Sequence, residues 1–157
     1  MTRLLIVLFA AAVSCANGGA LPSEQQPAGS VAGCTLRIHV DGFRNSKGNL
    51  GTVLFTGPEG WPEDLNKSFR HGPAPIDPGT RTALAEWSGL PTGDYGVAAI
   101  HDENSNHKLD RNLIGIPKEG FGFANNPHVM LSAPGFREAV VHVACPFTET
   151  TIHLIYK

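Results

Sequence analysis

Short runs of alternating apolar and polar residues fill most of the chain from residue 34 onward, and Gly and Pro separate one run from the next. Alternation places every second side chain on one face of an extended chain, which is the pattern of a half-buried β-strand. The predicted strands are Cys34–Asp41, Leu50–Thr56, Thr80–Trp87, Asp94–Ile100, Ala139–Ala144 and Thr150–Tyr156. No long amphipathic helical period lies between them. The pattern therefore predicts an all-β fold, an antiparallel β-sandwich of about seven strands.

Two segments depart from simple alternation. Asp94–Ile100 is almost continuously apolar, as expected of a central strand that is buried on both faces. Trp61–Phe69 has Pro62 near its start and places Leu65 four residues before Phe69. That spacing predicts one short helix, which would cover an end of the sandwich.

Residues 1–16 have the organisation of an export signal, with Arg3 followed by an apolar run from Leu4 to Val13 and then by small residues. A helix needs ~20 apolar residues to span a bilayer, so this run is too short for a lasting anchor. Residues 17–31, rich in Gly, Ser, Gln and Pro, are expected to form a flexible tether, and residues 32–157 the sandwich domain. We expect an extracytoplasmic protein, either periplasmic, outer-membrane or secreted.

Two processing routes remain open. Ala12–Cys15 resembles a bacterial lipobox, so cleavage before Cys15 would leave a lipidated cysteine as the first residue and the only membrane attachment. Ordinary signal cleavage after Ala16 or Ala20 would remove Cys15 instead.

The other two cysteines are expected to pair. Cys34 is in step with the apolar row Leu36, Ile38 and Val40, and Cys145 is in step with a second apolar row in a late strand. In an oxidising compartment an even pair of cysteines favours a disulfide, which would join the first strand to a late one. Two separate buried thiols are the alternative.

The chemistry is expected in the long connection after the central strand. Oxygen-bearing side chains stand at alternate positions there, namely Asp102, Asn104 and Asn106, and Asp110 follows. Ca²⁺ takes six to eight oxygen ligands at about 2.3–2.6 Å, and a tightly wound loop can aim such side chains at one point. Set against an EF-hand loop, Asp102 takes position 1, Lys108 supplies a backbone carbonyl at position 7, and Asp110 takes position 9.

Two departures distinguish this loop from an EF-hand. His107 occupies the position that is usually Gly, and Leu113 occupies the position of the bidentate Glu. Glu119 would have to fold back to supply the missing carboxylate, and with few carboxylates the affinity should be weak, ~10⁻⁴–10⁻³ M. The alternative is a metal-free loop in which the Asp and Asn side chains bond their own backbone.

Four stretches together resemble a known bacterial family, the domain-of-unknown-function family 2141: Leu90–Tyr95, His101–Asn106, Leu109–Asp110 and Gly115–Asn126. The resemblance covers residues 34–157 and implies an exported, non-enzymatic, immunoglobulin-like or prealbumin-like sandwich. The family tends to have Gly where His107 stands. Tyr95, which follows Gly93, is similar to the tyrosine corner of such sandwiches.

Composition and motifs exclude several classes of function. With a net charge of −2 and no basic stripe, the chain does not suit nucleic acid. No nucleophile motif is present, and the histidines lack zinc-ligand spacing, so no enzyme is predicted. We expect a binding or scaffold module with a calcium-ordered loop, in which Ile114, Ile116, Phe121 and Phe123 anchor the long connection over one end of the sandwich.

Two alternatives of other classes remain. One is a metal-free structural or interaction protein of the cell envelope. The other is a carbohydrate-directed module or weak hydrolase, with Trp61, Trp87 and Phe123 stacking on sugars and Glu103 and Glu119 as its carboxylate pair. The sequence names neither a partner nor an oligomeric state.

Overall fold

The computed structural model describes residues 33–130 and 132–157. The predicted signal peptide, the tether and Cys15 lie outside the described residues. The strands are β1 Cys34–Asp41, β2 Asn49–Phe55, β3 Arg70–Ala74, β4 Ile76–Asp77, β5 Thr82–Leu90, β6 Gly93–Asp102, β7 Phe121–Phe123, β8 Val140–Val143 and β9 Phe147–His153. Short 3₁₀ helices cover Leu65–Lys67 and Phe136–Ala139. Among the described residues, no helix is long and apolar enough to cross a membrane.

The strands form two sheets, which confirms the all-β sandwich. The first sheet has the order β4-β5-β1-β9, and the second has the order β3-β2-β6-β7, with β8 also paired to β6. Strand β6 is the centre of the second sheet, because β8 pairs with its first half and β7 with its second half. Neighbouring strands are antiparallel in every pair but one.

The exception is the parallel pairing of β1 with β9, in which Thr35 faces Phe147 and Asp41 faces His153. Parallel neighbours cannot be joined by a tight hairpin. Here the short segment after β8 carries the chain from the second sheet to the first, so β9 begins at Phe147, earlier than predicted. Thr148 and Glu149, which precede the predicted strand Thr150–Tyr156, lie inside β9.

The main core lies between the sheets and follows the predicted alternation. In β1, Leu36, Ile38 and Val40 are at most 1% exposed, and the residues between them are not buried. Burial of each such side chain contributes about 1.5–3 kcal/mol. Trp87 packs against this core, and its Nε1 donates to Thr52 Oγ1 at 3.3 Å.

A second apolar cluster covers the outer face of the second sheet, which explains why β6 is apolar on both faces. It contains Val53, Phe55, Ala98, Phe121, Phe123, Val129 and Ala139. Trp61 packs against this cluster, and its ring centroid lies 5.6 Å from that of Phe55 and 5.7 Å from that of Phe136. Phe123 is 6% exposed and Trp87 packs into the main core, so this structure does not present them as a sugar-stacking surface.

The expected helix at Trp61–Phe69 is wrong. Only Leu65–Lys67 is helical, as a single 3₁₀ turn, because Asp64 caps its start and Ser68 Oγ donates to the Leu65 carbonyl at 2.7 Å and closes it. The sequence prediction also missed β3, β4 and β7. Strand β3 contains Gly72 and Pro73, which suppress a strand prediction but are tolerated at a sheet edge.

The predicted disulfide is present. Cys34 and Cys145 are bonded, with their Cα atoms 4.4 Å apart and a sequence separation of 111. The bond joins β1 of the first sheet to the segment that leaves β8 of the second. It therefore ties the two sheets together at one end of the sandwich.

Candidate functional site

The candidate loop begins where β6 ends, at a buried polar pair. His101 is 0% exposed and Asp102 is 2% exposed, and they point to opposite faces of the sheet. His101 Nε2 donates to the Lys47 carbonyl at 2.8 Å, and its Nδ1 accepts from the Tyr156 hydroxyl at 2.8 Å. A carbonyl only accepts, so the proton of this hydrogen bond is carried by Nε2.

Tyr156 joins three parts of the chain at this end. Its hydroxyl accepts from the Arg44 backbone N–H at 3.1 Å while it donates to His101. Burial raises the pKa of the Tyr156 phenol, because the charged form would lose its solvation. The β1–β2 connection and the chain after β9 are therefore held against the end of β6.

Gly48 shows how closely the β1–β2 connection approaches the loop. It has φ +66°, and a Cβ atom at this position would lie 1.9 Å from the Asp102 carbonyl oxygen. No other residue fits that contact without moving the backbone. Gly48 is thus required for the loop's support, although nothing in its immediate sequence indicates this.

The Asp102 carboxylate organises the first turn of the loop. Its Oδ1 accepts from the Asn106 backbone N–H at 3.0 Å, and its Oδ2 accepts from the His107 backbone N–H at 2.8 Å. Ser105 and His107 have φ of +59° and +62°. The tight winding of the loop therefore forms with His107 in the left-handed region.

Asn104 and Asn106 contact Asp110 through their amide nitrogens, whereas the calcium hypothesis requires their oxygens at that point. The Asn104 amide nitrogen donates to Asp110 Oδ2 at 2.8 Å, and the Asn106 amide nitrogen donates to Asp110 Oδ1 at 3.0 Å. The two amide oxygens accept backbone N–H groups, from Asn106 and Lys108 respectively. Lys108 itself is exposed and contributes its backbone N–H to this network.

Glu119 folds back to the loop, where both of its carboxylate oxygens accept backbone N–H groups. It is 4% exposed, its Oε1 accepts from the Glu103 backbone N–H at 2.8 Å, and its Oε2 accepts from the Asp110 backbone N–H at 3.0 Å. The Glu103 side chain turns away, to Arg44 Nε at 2.6 Å and to the Asn45 amide at 3.2 Å. Sequence reasoning missed Arg44, Asn45 and Tyr156, because only folding brings them to this loop.

The donor set fits a hard cation better than a transition metal. The loop carries the carboxylates of Asp102 and Asp110 and the amide oxygens of Asn104 and Asn106, and the Glu119 carboxylate bonds its backbone; hard oxygens of this kind suit Ca²⁺. Within residues 33–130 and 132–157, no cluster of three or more His, Cys, Asp or Glu is arranged to hold a metal ion. Any cation here would therefore depend on the amide and backbone oxygens.

Internal hydrogen bonding at the site is complete. Throughout the described part of the chain, every buried side-chain nitrogen and oxygen has a hydrogen-bond partner. The bonds from Asp102, Asn104 and Asn106 to their own backbone are also those expected of a metal-free loop. These hydrogen bonds therefore order the loop without an ion. The Asn104 and Asn106 side chains meet at Asp110.

Comparison with known proteins identifies the family. Neither the curated proteins nor the solved structures gave a match. A family model described as "Uncharacterized protein conserved in bacteria (DUF2141)" matches residues 38–151. Because that match covers most of the chain, from β1 through β9, the protein belongs to the DUF2141 family.

Proposed function

We propose that this protein is an exported, non-catalytic β-sandwich binding module whose Asp102–Asp110 loop binds Ca²⁺. The observation that carries the proposal is the meeting of the Asn104 and Asn106 amides on the Asp110 carboxylate. Side chains separated by up to six residues are thereby already gathered at one point. A rigid sheet that presents an ordered polar loop is a common arrangement for binding.

The exchange needed for a cation to bind is local. The amide groups of Asn104 and Asn106 now present N–H to Asp110, and a cation at that point would require their oxygens there instead. Rotating an exposed side-chain amide exchanges its two ends without moving the backbone, and the N–H groups of Asn106 and Lys108 would then give up their bonds to these amide oxygens. Bound Ca²⁺ would supply the positive charge that offsets the carboxylates of Asp102 and Asp110.

Titration calorimetry and thermal melting test the proposal directly. Calcium is expected to raise the melting temperature by several degrees, because at about 100 times the dissociation constant a ligand adds ~2.7 kcal/mol of stability. Asp110→Asn should abolish the calcium response, since it removes a charged ligand and keeps the side-chain shape. Asp94→Asn is the matched control, because Asp94 is exposed and pairs with His142 on another surface.

The result that would remove the proposal is a wild-type protein with no calcium heat and no melting shift in millimolar calcium. An equal calcium response in wild type and Asp110→Asn would also contradict it, since the ion would then bind elsewhere.

The second candidate is a metal-free structural or interaction module. It is supported by the hydrogen bonds from the Asp102, Asn104 and Asn106 side chains to the loop's own backbone, which order the loop without an ion. The two candidates differ in one measurement: in the metal-free case, melting curves in calcium and in chelator coincide. The carbohydrate-directed alternative has no further support from the site, because Glu103 is engaged by Arg44 and Asn45 while Glu119 accepts backbone N–H groups.

A further inference from the structure

Residues 111–118 form a small hairpin that projects beyond the loop, and we name it the apolar hairpin. Arg111 and Pro117 pair across it. The Asn112 N–H donates to the Ile116 carbonyl at 2.8 Å, and the Gly115 N–H donates to the Asn112 carbonyl at 3.0 Å. Leu113 and Ile114 therefore occupy the two central positions of a tight turn.

The turn is held in this shape by its own side chains. Asn112 Oδ1 accepts from the backbone N–H of Ile114 at 3.1 Å and of Ile116 at 2.9 Å. Gly115 has φ +83°, which a larger residue adopts only with strain. Arg111 Nη1 donates to the Gly115 carbonyl at 3.0 Å. These hydrogen bonds hold the turn in one conformation, and the side chains at its tip are exposed in that conformation.

The exposed side chains at the tip are strongly apolar. Leu113 is 106% exposed and Ile114 is 79% exposed, where Gly, Pro, Asn, Asp and Ser are the usual turn residues. Ile116 and Met130 are 39% and 70% exposed. These are four of the seven large hydrophobic side chains that the described residues expose. A concentration of this kind marks an interaction surface.

Three of these side chains are neighbours along one surface. Ile114, Ile116 and Met130 line a shared concavity of about 940 Å³ above the outer face of the second sheet. Leu113 is not among the residues that line it. A small ligand in the concavity would therefore leave Leu113 in water, whereas an extended apolar medium would cover all four.

The hairpin carries positive charge in a chain whose net charge is −2. Residues 111–118 include Arg111 and Lys118 and no acidic residue; Asp110 and the buried Glu119 flank them, and Lys108 lies two residues before Asp110. Arg111 pairs with Glu63. Among the described residues, Lys108 and Lys118 form no salt bridge, so their charges are available to an anionic partner.

We propose that the apolar hairpin docks this protein on an anionic lipid bilayer, with Leu113 and Ile114 entering the acyl region. A convex tip offers a protein partner far less than the ~800 Å² per side of a stable interface. A fluid bilayer needs no matching pocket, and lysines beside an inserted apolar tip are attracted to anionic headgroups. The inference goes beyond the calcium proposal and does not depend on it.

Co-sedimentation with vesicles tests the docking, with chelator present so that calcium cannot bridge protein and lipid. The wild-type protein is expected to bind mixed phosphatidylcholine–phosphatidylglycerol vesicles and to bind pure phosphatidylcholine less. The Leu113→Ser, Ile114→Ser double variant should partition about 100-fold less, because two aliphatic side chains no longer leave water. Lys118→Gln should lower binding to the mixed vesicles by about fivefold.

The matched control is Leu84→Ser, Phe147→Ser, since Leu84 and Phe147 are 48% and 52% exposed on the first sheet. It should bind vesicles like the wild type, and both double variants should keep the wild-type melting temperature. Equal binding by the wild type and the hairpin variant would overturn the proposal, as would no binding to the anionic vesicles. Self-association that the hairpin variant abolishes, without vesicle binding, would assign the surface to a second copy of the chain.

Discussion

The two ends of β6 are held together by different chemistry. Near Gly93, where β6 begins, the Cys34–Cys145 disulfide joins the sheets, and the Tyr95 hydroxyl donates to the Pro91 carbonyl at 2.9 Å. That bond completes the tyrosine corner expected from the sequence. At the other end, His101 and Asp102 are buried; His101 is hydrogen-bonded to the distant Lys47 and Tyr156, and Asp102 to the backbone of its own loop. We refer to these as the disulfide end and the polar end.

The difference between the ends separates stability from function. The disulfide end is held by a covalent bond, which does not depend on buried hydrogen bonds. Few polar groups therefore need to be buried there. Of the four buried polar or charged residues in the described chain, His101, Asp102 and Glu119 lie at the polar end. Buried polar groups are costly unless satisfied, so the polar end tolerates change poorly yet holds the groups that could bind an ion. Three predictions test this contrast.

Loss of the disulfide should have the largest effect on stability. The Cys34→Ser, Cys145→Ser variant is expected to lose ~4–5 kcal/mol of unfolding free energy, since the bond closes a very long loop. Chemical denaturation measures the loss, and reduced wild-type protein is the control. The contrast between the ends predicts that any calcium response of the folded variant stays unchanged; a lost response would show that the ends are coupled.

Glu119→Gln should have the next largest effect. The carboxylate accepts two backbone N–H groups, and hydrogen bonds to charged groups contribute about 1.5–3 kcal/mol each. An amide would turn an N–H toward one of those donors, so we expect a loss of about 3 kcal/mol in chemical denaturation. Glu59→Gln is the control, because Glu59 is exposed and its pairing with Lys67 contributes ~0–1 kcal/mol. Equal effects of the two substitutions would contradict the role assigned to the polar end.

Tyrosine substitutions at the two ends give the smallest effects and the sharpest comparison. Tyr156→Phe leaves buried His101 Nδ1 without its donor and should cost about 2 kcal/mol, whereas Tyr95→Phe should cost about 1 kcal/mol. A larger loss from Tyr95→Phe would reverse the assignment of the polar end as the sensitive one.

The same two tyrosines predict how stability depends on pH. Burial raises the pKa of both phenols above the ordinary value of 10.0. Their stabilising contribution is complete below the unfolded pKa and is lost as pH rises through the folded pKa. Stability should therefore fall above about pH 10, and each Phe variant should lose less over that range. Melting temperatures across the alkaline range measure this, and an unchanged slope in both variants would contradict it.

Local patterns were sufficient for most of the fold. The alternation in β1 gave its limits, Cys34–Asp41, and the apolar run in β6 gave a strand buried on both faces. Strand β7 was missed because Phe121, Gly122 and Phe123 are too few to show a period. Of the expected anchors in the long connection, Phe121 and Phe123 are buried, but Ile114 is 79% exposed on the hairpin. The hydrophobicity of these residues did not show which of them would be buried and which would be exposed at the tip of the apolar hairpin.

The sequence by itself determined the strand periodicity, the pairing of cysteines on apolar rows and the spacing of oxygen side chains after β6. Each of these depends on residues that are close in the chain or on one repeating geometry. Only the tertiary structure decided that β9 runs parallel to β1, that Tyr156 and Lys47 satisfy His101, and that Glu119 reaches back to the loop. Those contacts join segments far apart in sequence, and their energy exists only once the whole chain has closed around them.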